Sequence, residues 1–177
     1  MENIEKIISP YDLILIDFDG TLFDTASYHK KAYEVARSKN ILEKNLYKAK
    51  CKIFLEMVKS NPPKKIRNGH LIYEASKRKN KIIAITSATL YENIKSIIRY
   101  ANSKIMPNKI YCGTKYSKNN KPNPAMLLDA AEDFKVSASK ILVVEDSVLG
   151  FETAKNANFD CLNVNTLKFV YYKNNKK

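Results

Sequence analysis

The sequence contains little of what marks several classes of protein. Its 177 residues include no Trp, only four Gly and six Pro, three Cys and two His. So few Gly and Pro, with no repeat of fixed period, exclude a collagen-like, low-complexity or solenoid chain. Cys51, Cys112 and Cys161 are odd in number and far apart, so they predict neither a disulfide framework nor a zinc site. His29 and His70 are isolated, and each is expected to be an ordinary surface or packing histidine.

Long hydrophobic runs are also missing. The first apolar run, Leu13–Ile16, is far too short for a signal peptide or a membrane span. We therefore expect a cytoplasmic protein with no membrane partner. The Lys/Asn-rich tail 173–177 is expected to fray.

Positive charge is in excess, with 31 Lys and Arg against 18 Asp and Glu and a formal net charge of +13. A positive field favours anionic partners. The basic residues are scattered, however, and no basic run is interleaved with aromatic residues that could stack on bases. Nucleic acid is therefore a possible partner but not a favoured one. A hydrophobic content of 45% is enough for the core of one domain with a small inserted subdomain.

Short apolar runs that alternate with helical stretches dominate the rest of the chain. Continuous apolar runs suit strands that are buried on both faces of a sheet. The predicted strands are 13–18, 81–86, 109–112, 141–144 and 161–164. The predicted helices between them are 90–100, 124–134 and 148–157. This alternation predicts the α/β class, with a Rossmann-like, doubly wound parallel sheet of about five strands.

One interval interrupts the alternation. Between Asp24 and Lys81 no strand is predicted, but 26–39 and 41–59 carry apolar residues at helical spacing, and a breaker, Asn61-Pro62-Pro63, follows. We therefore predict a core domain of residues 1–24 and 68–177 and a helical cap subdomain of residues 25–67.

Polar residues suited to phosphate chemistry follow three of the predicted strands. Ligands bind at the carboxyl ends of parallel strands in open sheets. Asp17 and Asp19, two residues apart on extended chain, point the same way and can share one site. The other strand ends carry Thr86 with Ser87 and Glu145 with Asp146.

Four segments together resemble the motifs of the haloacid dehalogenase superfamily. In family order they are DFDGTLFDT at 17–25, AITSAT at 84–89, KPNP at 121–124 and VVEDSVLGFETA at 143–154. The resemblance is to the phosphatase and phosphomutase branch that carries a helical cap between the first and second motifs. Where the family usually has Ala-Gly before its last strand, this chain has Ala157-Asn158. Asn tolerates the left-handed conformation, so the preceding helix is still expected to end there.

The resemblance implies that Asp17 is a covalent nucleophile and that Asp19 is the general acid and base. To protonate a leaving oxygen near neutral pH, Asp19 is expected to have a raised pKa, whereas Asp17 is expected to stay ionised beside a cation. Mg²⁺ would be held by the Asp17 carboxylate, the Asp19 backbone carbonyl and Asp146, with Glu145 acting through water.

The family also implies that a lysine and a hydroxyl bind the transferring oxygens. The lysine is Lys121. Counting from the first residue of the strand selects Thr86 as the hydroxyl, whereas a different alignment of the local string selects Ser87; we favour Thr86. Thr21, shortly after Asp19, is expected to contact substrate and fits hydrolysis.

The sequence thus predicts a Mg²⁺-dependent phosphatase that acts on a small phosphorylated metabolite through an aspartyl-phosphate. The alternatives are a phosphomutase or a nucleic-acid-end phosphatase on the same core, or a catalytically silent phosphate-binding protein. A monomer or a weak homodimer is expected.

Overall fold

The computed structural model describes residues 2–39, 42–116 and 120–171. Six strands and seven α-helices lie in these ranges, with two short 3₁₀ helices at Gly113–Tyr116 and Ala138–Lys140. The strands are β1 Leu13–Ile16, β2 Ile82–Ser87, β3 Lys109–Cys112, β4 Ile141–Glu145, β5 Asp160–Asn163 and β6 Lys168–Tyr171. The helices are α1 Glu2–Ile8, α2 Ala26–Ser38, α3 Glu43–Ser60, α4 Arg67–Arg78, α5 Tyr91–Tyr100, α6 Ala125–Phe134 and α7 Val148–Ala157.

The strands form one sheet in the order β3-β2-β1-β4-β5-β6. β1 to β5 are parallel, with β1 between β2 and β4, so that Ile16 lies beside Ile85 on one side and Val144 on the other. Parallel strands need crossover connections, and the helices between them supply these. The predicted α/β, Rossmann-like doubly wound sheet is confirmed.

Two apolar layers cover the faces of the sheet, because side chains alternate along each strand. Ile14 and Ile16 of β1 face a core that includes buried residues of α1, α2, α3, α4 and α5. Leu13 and Leu15 face the opposite core, which includes buried residues of α6 and α7. Burial on both faces explains why the central strands are continuously apolar in sequence.

Three described elements were not predicted. β6 pairs antiparallel with β5 at the edge of the sheet, and it is short and largely exposed, so it lacks a buried-strand pattern. α1 and α4 lie in segments to which no element was assigned. α7 ends as predicted, because Asn158 has a φ of 60° and is left-handed.

The insertion between β1 and β2 contains α2 and α3, which pack on each other, and α3 also contacts α5. Its two ends run side by side: Asp24 N–H donates to the Lys64 carbonyl and Ile66 N–H donates to the Leu22 carbonyl, both at 2.9 Å. These bonds join the chain where it leaves and re-enters the sheet layer. The division into a core and a cap of residues 25–67 stays a prediction.

Two predictions fall outside the described residues: the start of the second cap helix at Ile41 and the fraying of the tail 173–177. Among the helices of the described ranges, none has both the length and the apolar character to cross a bilayer.

Candidate active site

Two buried carboxylates lie side by side at the carboxyl edge of the central strands. Asp17 directly follows β1, and its N–H donates to the Val144 carbonyl at 3.0 Å, which continues the β1–β4 ladder. Glu145 is the last residue of β4. Asp17 is 5% exposed and Glu145 2% exposed. Two acids in so dry a place need positive charge or donors to stay ionised.

Lys121 supplies that charge. Its ammonium donates to Asp17 Oδ1 at 2.6 Å and also to Glu145 Oε1. The residue after the lysine is anchored to α7, because Asn156 Nδ2 of that helix donates to the Pro122 carbonyl at 2.9 Å. The lysine therefore bridges the two acids through a fixed loop, and these three predicted site residues come together.

The second oxygen of Glu145 organises the turn into α7. Glu145 Oε2 accepts from the Asp146 N–H at 3.1 Å and from the Ser147 hydroxyl at 3.2 Å. Ser147 Oγ in turn accepts from Gly150 N–H at 3.1 Å and caps α7. A Cβ on Gly150 would lie 1.9 Å from the Glu145 carboxyl carbon, so only glycine leaves room for this carboxylate.

Asp146 faces the first loop from the other side. Its Oδ1 accepts from the Thr21 hydroxyl at 3.2 Å. Gly20 has a φ of 83°, and a Cβ there would lie 2.3 Å from Asp146 Oδ2. Gly20 therefore provides both the left-handed turn after Asp19 and the space for Asp146. The contact of Thr21 seen here is with Asp146.

The electrostatics of the buried acids follow from this crowding. Burial raises the pKa of Asp17 well above its ordinary value, with Glu145 and Asp19 adding to the effect and Lys121 opposing it. Burial and the charge of Glu145 also raise the pKa of Asp146. For Lys121, burial opposes the charge, but the carboxylates of Asp17 and Glu145 outweigh it and raise the pKa of the ammonium. The acids thus outnumber the cations at this point.

Asp19 lies in a different environment, among hydrogen-bond donors. Its Oδ1 accepts from the Thr25 hydroxyl at 2.7 Å and lies 3.2 Å from His29 Nε2, while Oδ2 accepts from the Ser87 hydroxyl at 3.0 Å. Burial opposes ionisation here, but hydrogen bonds from His29, Thr25 and Thr89 outweigh it and lower the pKa to about 2.

The lowered pKa of Asp19 is the opposite of the raised pKa expected from sequence. The physical reason is that Asp19 is surrounded by hydrogen-bond donors, which stabilise its charged form. The expectation that Asp17 stays ionised beside a cation remains a prediction.

Of the two candidate hydroxyls, that of Ser87 contacts a site carboxylate, Asp19, whereas the sequence favours Thr86. Side chains alternate along β2, so neighbouring residues face opposite sides of the sheet. Ser87 has the parity of Ile83 and Ile85 and bonds Asp19, and its Oγ also accepts from the Thr89 N–H at 3.0 Å. Thr86 is buried with the parity of Ala84, toward the other core.

Two residues of the insertion lie at the site although the sequence did not select them as site residues. His29 was expected to be an ordinary histidine, yet it contacts Asp19, and its ring stacks on Phe54 with centroids 4.5 Å apart. Lys50 of α3 is only 5% exposed, and its ammonium lies 2.8 Å from His29 Nδ1. Rings of Tyr33 and Phe54 lie 5.2 Å from that ammonium. His29 had a sequence signal, since it stands one helical turn after Thr25, whereas Lys50 had none because only the packing of α2 on α3 brings it there.

The donor set fits a hard divalent cation. Asp17, Glu145 and Asp146 each offer a carboxylate oxygen, and these oxygens lie within 4.8 Å of one another. Oxygen ligands are what Mg²⁺ prefers. The three carboxylates outnumber the one ammonium beside them, and such an excess of negative charge is the electrostatic condition that a bound cation relieves.

Comparison with known proteins identifies relatives of this chain. The model of the haloacid dehalogenase-like hydrolase family matches residues 47–164. The chain is 31% identical over 130 residues to a phosphorylated carbohydrates phosphatase from Thermotoga maritima, which covers 73% of this chain and 57% of that protein. The chain thus spans just over half of the length of this relative.

Solved structures show the same fold. CbbY from Rhodobacter sphaeroides, determined in complex with phosphate, has a TM-score of 0.74 and 19% identity, covering 86% of this chain and 85% of that one. A β-phosphoglucomutase from Clostridium difficile has a TM-score of 0.71 and 18% identity, covering 86% and 84%. With its four motifs brought to one edge of the sheet and the family model matching two thirds of its residues, the chain belongs to the haloacid dehalogenase-like hydrolases.

Proposed function

We propose that this protein is a Mg²⁺-dependent phosphatase that hydrolyses a phosphorylated sugar or a similar small phosphomonoester. One observation carries the proposal: Asp17, Lys121, Glu145 and Asp146 converge at the carboxyl edge of the sheet, with the donor-held carboxylate of Asp19 beside them. A nucleophile, a cation-binding set and a proton carrier are what phosphoryl transfer requires.

In the proposed reaction, an oxygen of the Asp17 carboxylate attacks phosphorus, the bond to the leaving oxygen breaks, and Asp19 gives that oxygen a proton. Water then attacks the aspartyl-phosphate and gives a proton to Asp19, which releases phosphate and restores Asp17. Lys121 binds and orients the transferring oxygens as a point charge, and Ser87 is the hydroxyl placed to assist it.

A Mg²⁺ ion would be held by the carboxylates of Asp17 and Asp146 and the backbone carbonyl of Asp19, with Glu145 acting through water. Such an ion supplies Lewis-acid charge that offsets repulsion between the phosphate and the attacking carboxylate. Glu145 would also have a positioning role, because its carboxylate accepts hydrogen bonds from Lys121 and from the Asp146 N–H.

The ionised state of Asp19 bears on its two proposed roles, as the acid that protonates the leaving oxygen and as the base that takes a proton from water. A carboxylate with a pKa of about 2 is ready to accept a proton from water. To donate one, Asp19 must first lose the hydrogen bonds that stabilise its charge, and two of them come from Thr25 and from His29 of α2. We infer that substrate binding rearranges these contacts and that the predicted cap of residues 25–67 couples substrate binding to proton transfer.

Two names among the similar proteins support the substrate class. One relative is a phosphorylated carbohydrates phosphatase, and a variant of CbbY was solved in complex with xylulose-(1,5)bisphosphate. We propose a sugar phosphate on that basis.

The test is hydrolysis of p-nitrophenyl phosphate by purified protein, in Mg²⁺ and in EDTA. We expect turnover in Mg²⁺ only, and its loss in Asp17→Asn and Asp146→Asn. Asp24→Asn is the matched control, because Asp24 is an exposed carboxylate of the same loop. Full activity in Asp17→Asn would overturn the proposal.

A substrate panel then separates the alternatives. Faster release of phosphate from sugar phosphates than from a 5′-phosphorylated oligonucleotide supports the proposed class. Movement of phosphate between carbons of one sugar without release indicates a phosphomutase. Binding of Mg²⁺ and phosphate with no turnover of any substrate indicates a silent binding protein.

A further inference from the structure

A groove with a volume of about 740 Å³ runs along α5, between that helix and the edge strand β3. One wall is a single face of α5, with Tyr91, Lys95, Ile98 and Arg99. The other wall is the segment 102–108 and the start of β3. None of the proposed catalytic or metal-binding residues lines it, so this groove is separate from the site described above.

Backbone and side-chain hydrogen bonds fix the second wall, the segment 102–108. Met106 N–H donates to the buried Tyr73 hydroxyl at 2.7 Å. Asn108 bonds Ile83 twice, through its N–H at 2.8 Å and its Oδ1 at 2.9 Å. Ile105, just before these two anchors, is buried at 4% exposure. The groove therefore exists without a ligand, which lowers the ordering cost of binding.

The floor and rim display apolar surface. Met106 is 81% exposed although its backbone is fixed, and Ile98 and Ile110 line the groove beside it. A large apolar side chain held in water by an ordered segment marks a contact surface more strongly than one on a frayed loop. Methionine also adapts to partners of different shape.

The charge of the groove has one sign. Its lining includes Lys95, Arg99 and Lys109 and no acidic residue. Lys109 is paired with Asp133 at 2.6 Å, whereas Lys95 and Arg99 enter no ion pair with any residue in the described ranges.

Lys95 and Arg99 stand four residues apart on one helix face, which destabilises a helix by about 0.2–0.5 kcal/mol. The Lys95 ammonium lies 5.4 Å from the Tyr91 ring and the Arg99 guanidinium 5.6 Å from the Tyr100 ring, so aromatic contacts orient both cations. Lys65 extends the basic surface, since its ammonium donates to the Asn102 carbonyl at 3.2 Å. Bound carboxylates would relieve this repulsion.

Charge complementarity with an apolar floor selects one class of partner. A nucleic acid would need aromatic rings on which bases stack, and the lining has only Tyr91, whose ring already faces Lys95. An acidic peptide with apolar anchor side chains matches both features, because its carboxylates meet Lys95 and Arg99 while an anchor packs on Ile98 and Met106. We propose that the groove between α5 and β3 docks an acidic segment of a partner protein through Lys95, Arg99 and Met106.

The probe is a fluorescein-labelled peptide of about 12 residues in which Leu recurs at helical spacing among Glu residues. Fluorescence anisotropy measures its affinity for the full chain. We expect saturable binding that weakens as salt rises. Lys95→Glu/Arg99→Glu is expected to lower the affinity about tenfold or more, and Met106→Asp about fivefold.

The protein is strongly basic, so the control must change net charge equally. Lys44→Glu/Lys48→Glu reverses two exposed cations at the same spacing on α3, and we expect less than about a twofold loss. Leu128→Asp, at an exposed position on α6, is the apolar control for Met106→Asp. Hydrolysis of p-nitrophenyl phosphate and far-UV circular dichroism check that each variant is folded.

Selective loss of peptide binding in the groove variants, with the controls unchanged, supports docking at this surface. Equal losses in groove and control variants would show binding by net charge alone and overturn the proposal. It also fails if the peptide does not bind, or if a single-stranded oligonucleotide of equal charge or an anionic phospholipid vesicle binds the groove more tightly than the peptide. Since the readout is binding, loss of the proposed phosphatase activity leaves this result unaffected.

Discussion

The ammonium of Lys50 lies 2.8 Å from Nδ1 of His29, and this contact decides which ring nitrogen carries the proton. An ammonium has donors only, so Nδ1 accepts and Nε2 carries the hydrogen. That hydrogen points to Asp19 Oδ1, 3.2 Å away. Lys50, His29 and Asp19 thus form a chain of hydrogen bonds from α3 through α2 to the sheet edge, and it stabilises the ionised form of Asp19.

Replacing Lys50 with Met should weaken this chain, because it removes the ammonium while it keeps an unbranched side chain of similar length. Without the ammonium, either tautomer of His29 becomes available, so the bond to Asp19 is held part of the time. We expect kcat for p-nitrophenyl phosphate to fall about tenfold, as for loss of a positioned proton carrier, with the affinity for Mg²⁺ unchanged.

Steady-state kinetics across pH, with Mg²⁺ titrations, check this expectation for Lys50. Lys52→Met is the control, since Lys52 lies two residues further along α3 and is exposed. Equal kcat values for Lys50→Met and Lys52→Met would remove Lys50 from the mechanism.

The sequence predicted the sheet and most of the site because the signals there are local. Each central strand is a buried run that ends in a polar residue, and strand order alone brings Asp17, Glu145 and Asp146 together. Side-chain environment was not predictable in the same way. The low pKa of Asp19 depends on donors from two separate segments, the start of α2 and the loop after β2.

Side-chain direction set a second limit on the sequence-based assignment. Thr86 and Ser87 are neighbours in β2, so their side chains face opposite sides of the sheet. The sequence-based strand began one residue too early, at Lys81, and this error selected Thr86 in place of Ser87. Lys50 carries no pattern at all, because its role arises from the packing of α2 on α3. β6 was missed because an exposed edge strand of four residues lacks an apolar run bounded by turns.

Ser87 and Thr86 can be separated by paired substitutions. We expect Ser87→Ala to lower kcat/KM about 100-fold, because it removes a hydroxyl placed beside Asp19 and the phosphoryl site. Thr86→Val removes a hydroxyl that faces the other side of the sheet, so it is expected to change kcat/KM by less than about threefold. Initial rates with p-nitrophenyl phosphate measure both. A larger loss of kcat/KM in Thr86→Val than in Ser87→Ala would assign the phosphate-binding hydroxyl to Thr86. Circular dichroism of both variants checks that misfolding does not cause the loss.

The low pKa of Asp19 predicts a specific acid dependence of stability. The folded pKa of about 2 lies below the ordinary value of 3.8, so the carboxylate stabilises the fold above about pH 4, and this contribution is lost as the pH falls toward about 2. It is worth about 2 kcal/mol when fully present. Asp19→Asn should therefore be less stable than the wild type near pH 7, with the difference about halved near pH 3.

Urea unfolding in EDTA at several pH values measures the contribution of Asp19. EDTA keeps cations from adding a second linkage. A difference that stays constant from neutral to acid pH would show that the amide changes packing and that the charge is not responsible.

Gly150 supports the site without touching substrate. A Cβ there would lie 1.9 Å from the Glu145 carboxyl carbon, so Gly150→Ala must displace Glu145 from Lys121 and from the turn into α7. We expect kcat to fall about 100-fold and stability to fall by about 2 kcal/mol. Leu149→Ala, at the preceding exposed position, should retain activity within about threefold. Wild-type kinetics in Gly150→Ala would mean that the Glu145 side chain can adopt another conformation that still supports the site.

Asp17 gives the clearest conflict between stability and activity. Burial raises the pKa of its carboxyl, so at neutral pH its ionisation opposes folding. Asp17→Asn removes this cost while the amide oxygen can still accept from Lys121. In EDTA the variant is therefore expected to be more stable by about 1 kcal/mol, or about 2–4 °C in Tm, although it has no activity.

Mg²⁺ should reverse this ranking. A ligand that binds the folded state at about 100 times its Kd stabilises it by about 2.7 kcal/mol, and the wild type gains this whereas Asp17→Asn, without a carboxylate ligand, does not. Differential scanning fluorimetry with EDTA and with Mg²⁺ measures the crossover, and Asp24→Asn should follow the wild type in both. If Asp17→Asn is instead less stable than the wild type in EDTA, the Lys121–Asp17 ion pair outweighs the cost of burying the carboxylate. That result would contradict the inference that an excess of acid favours a cation at this site.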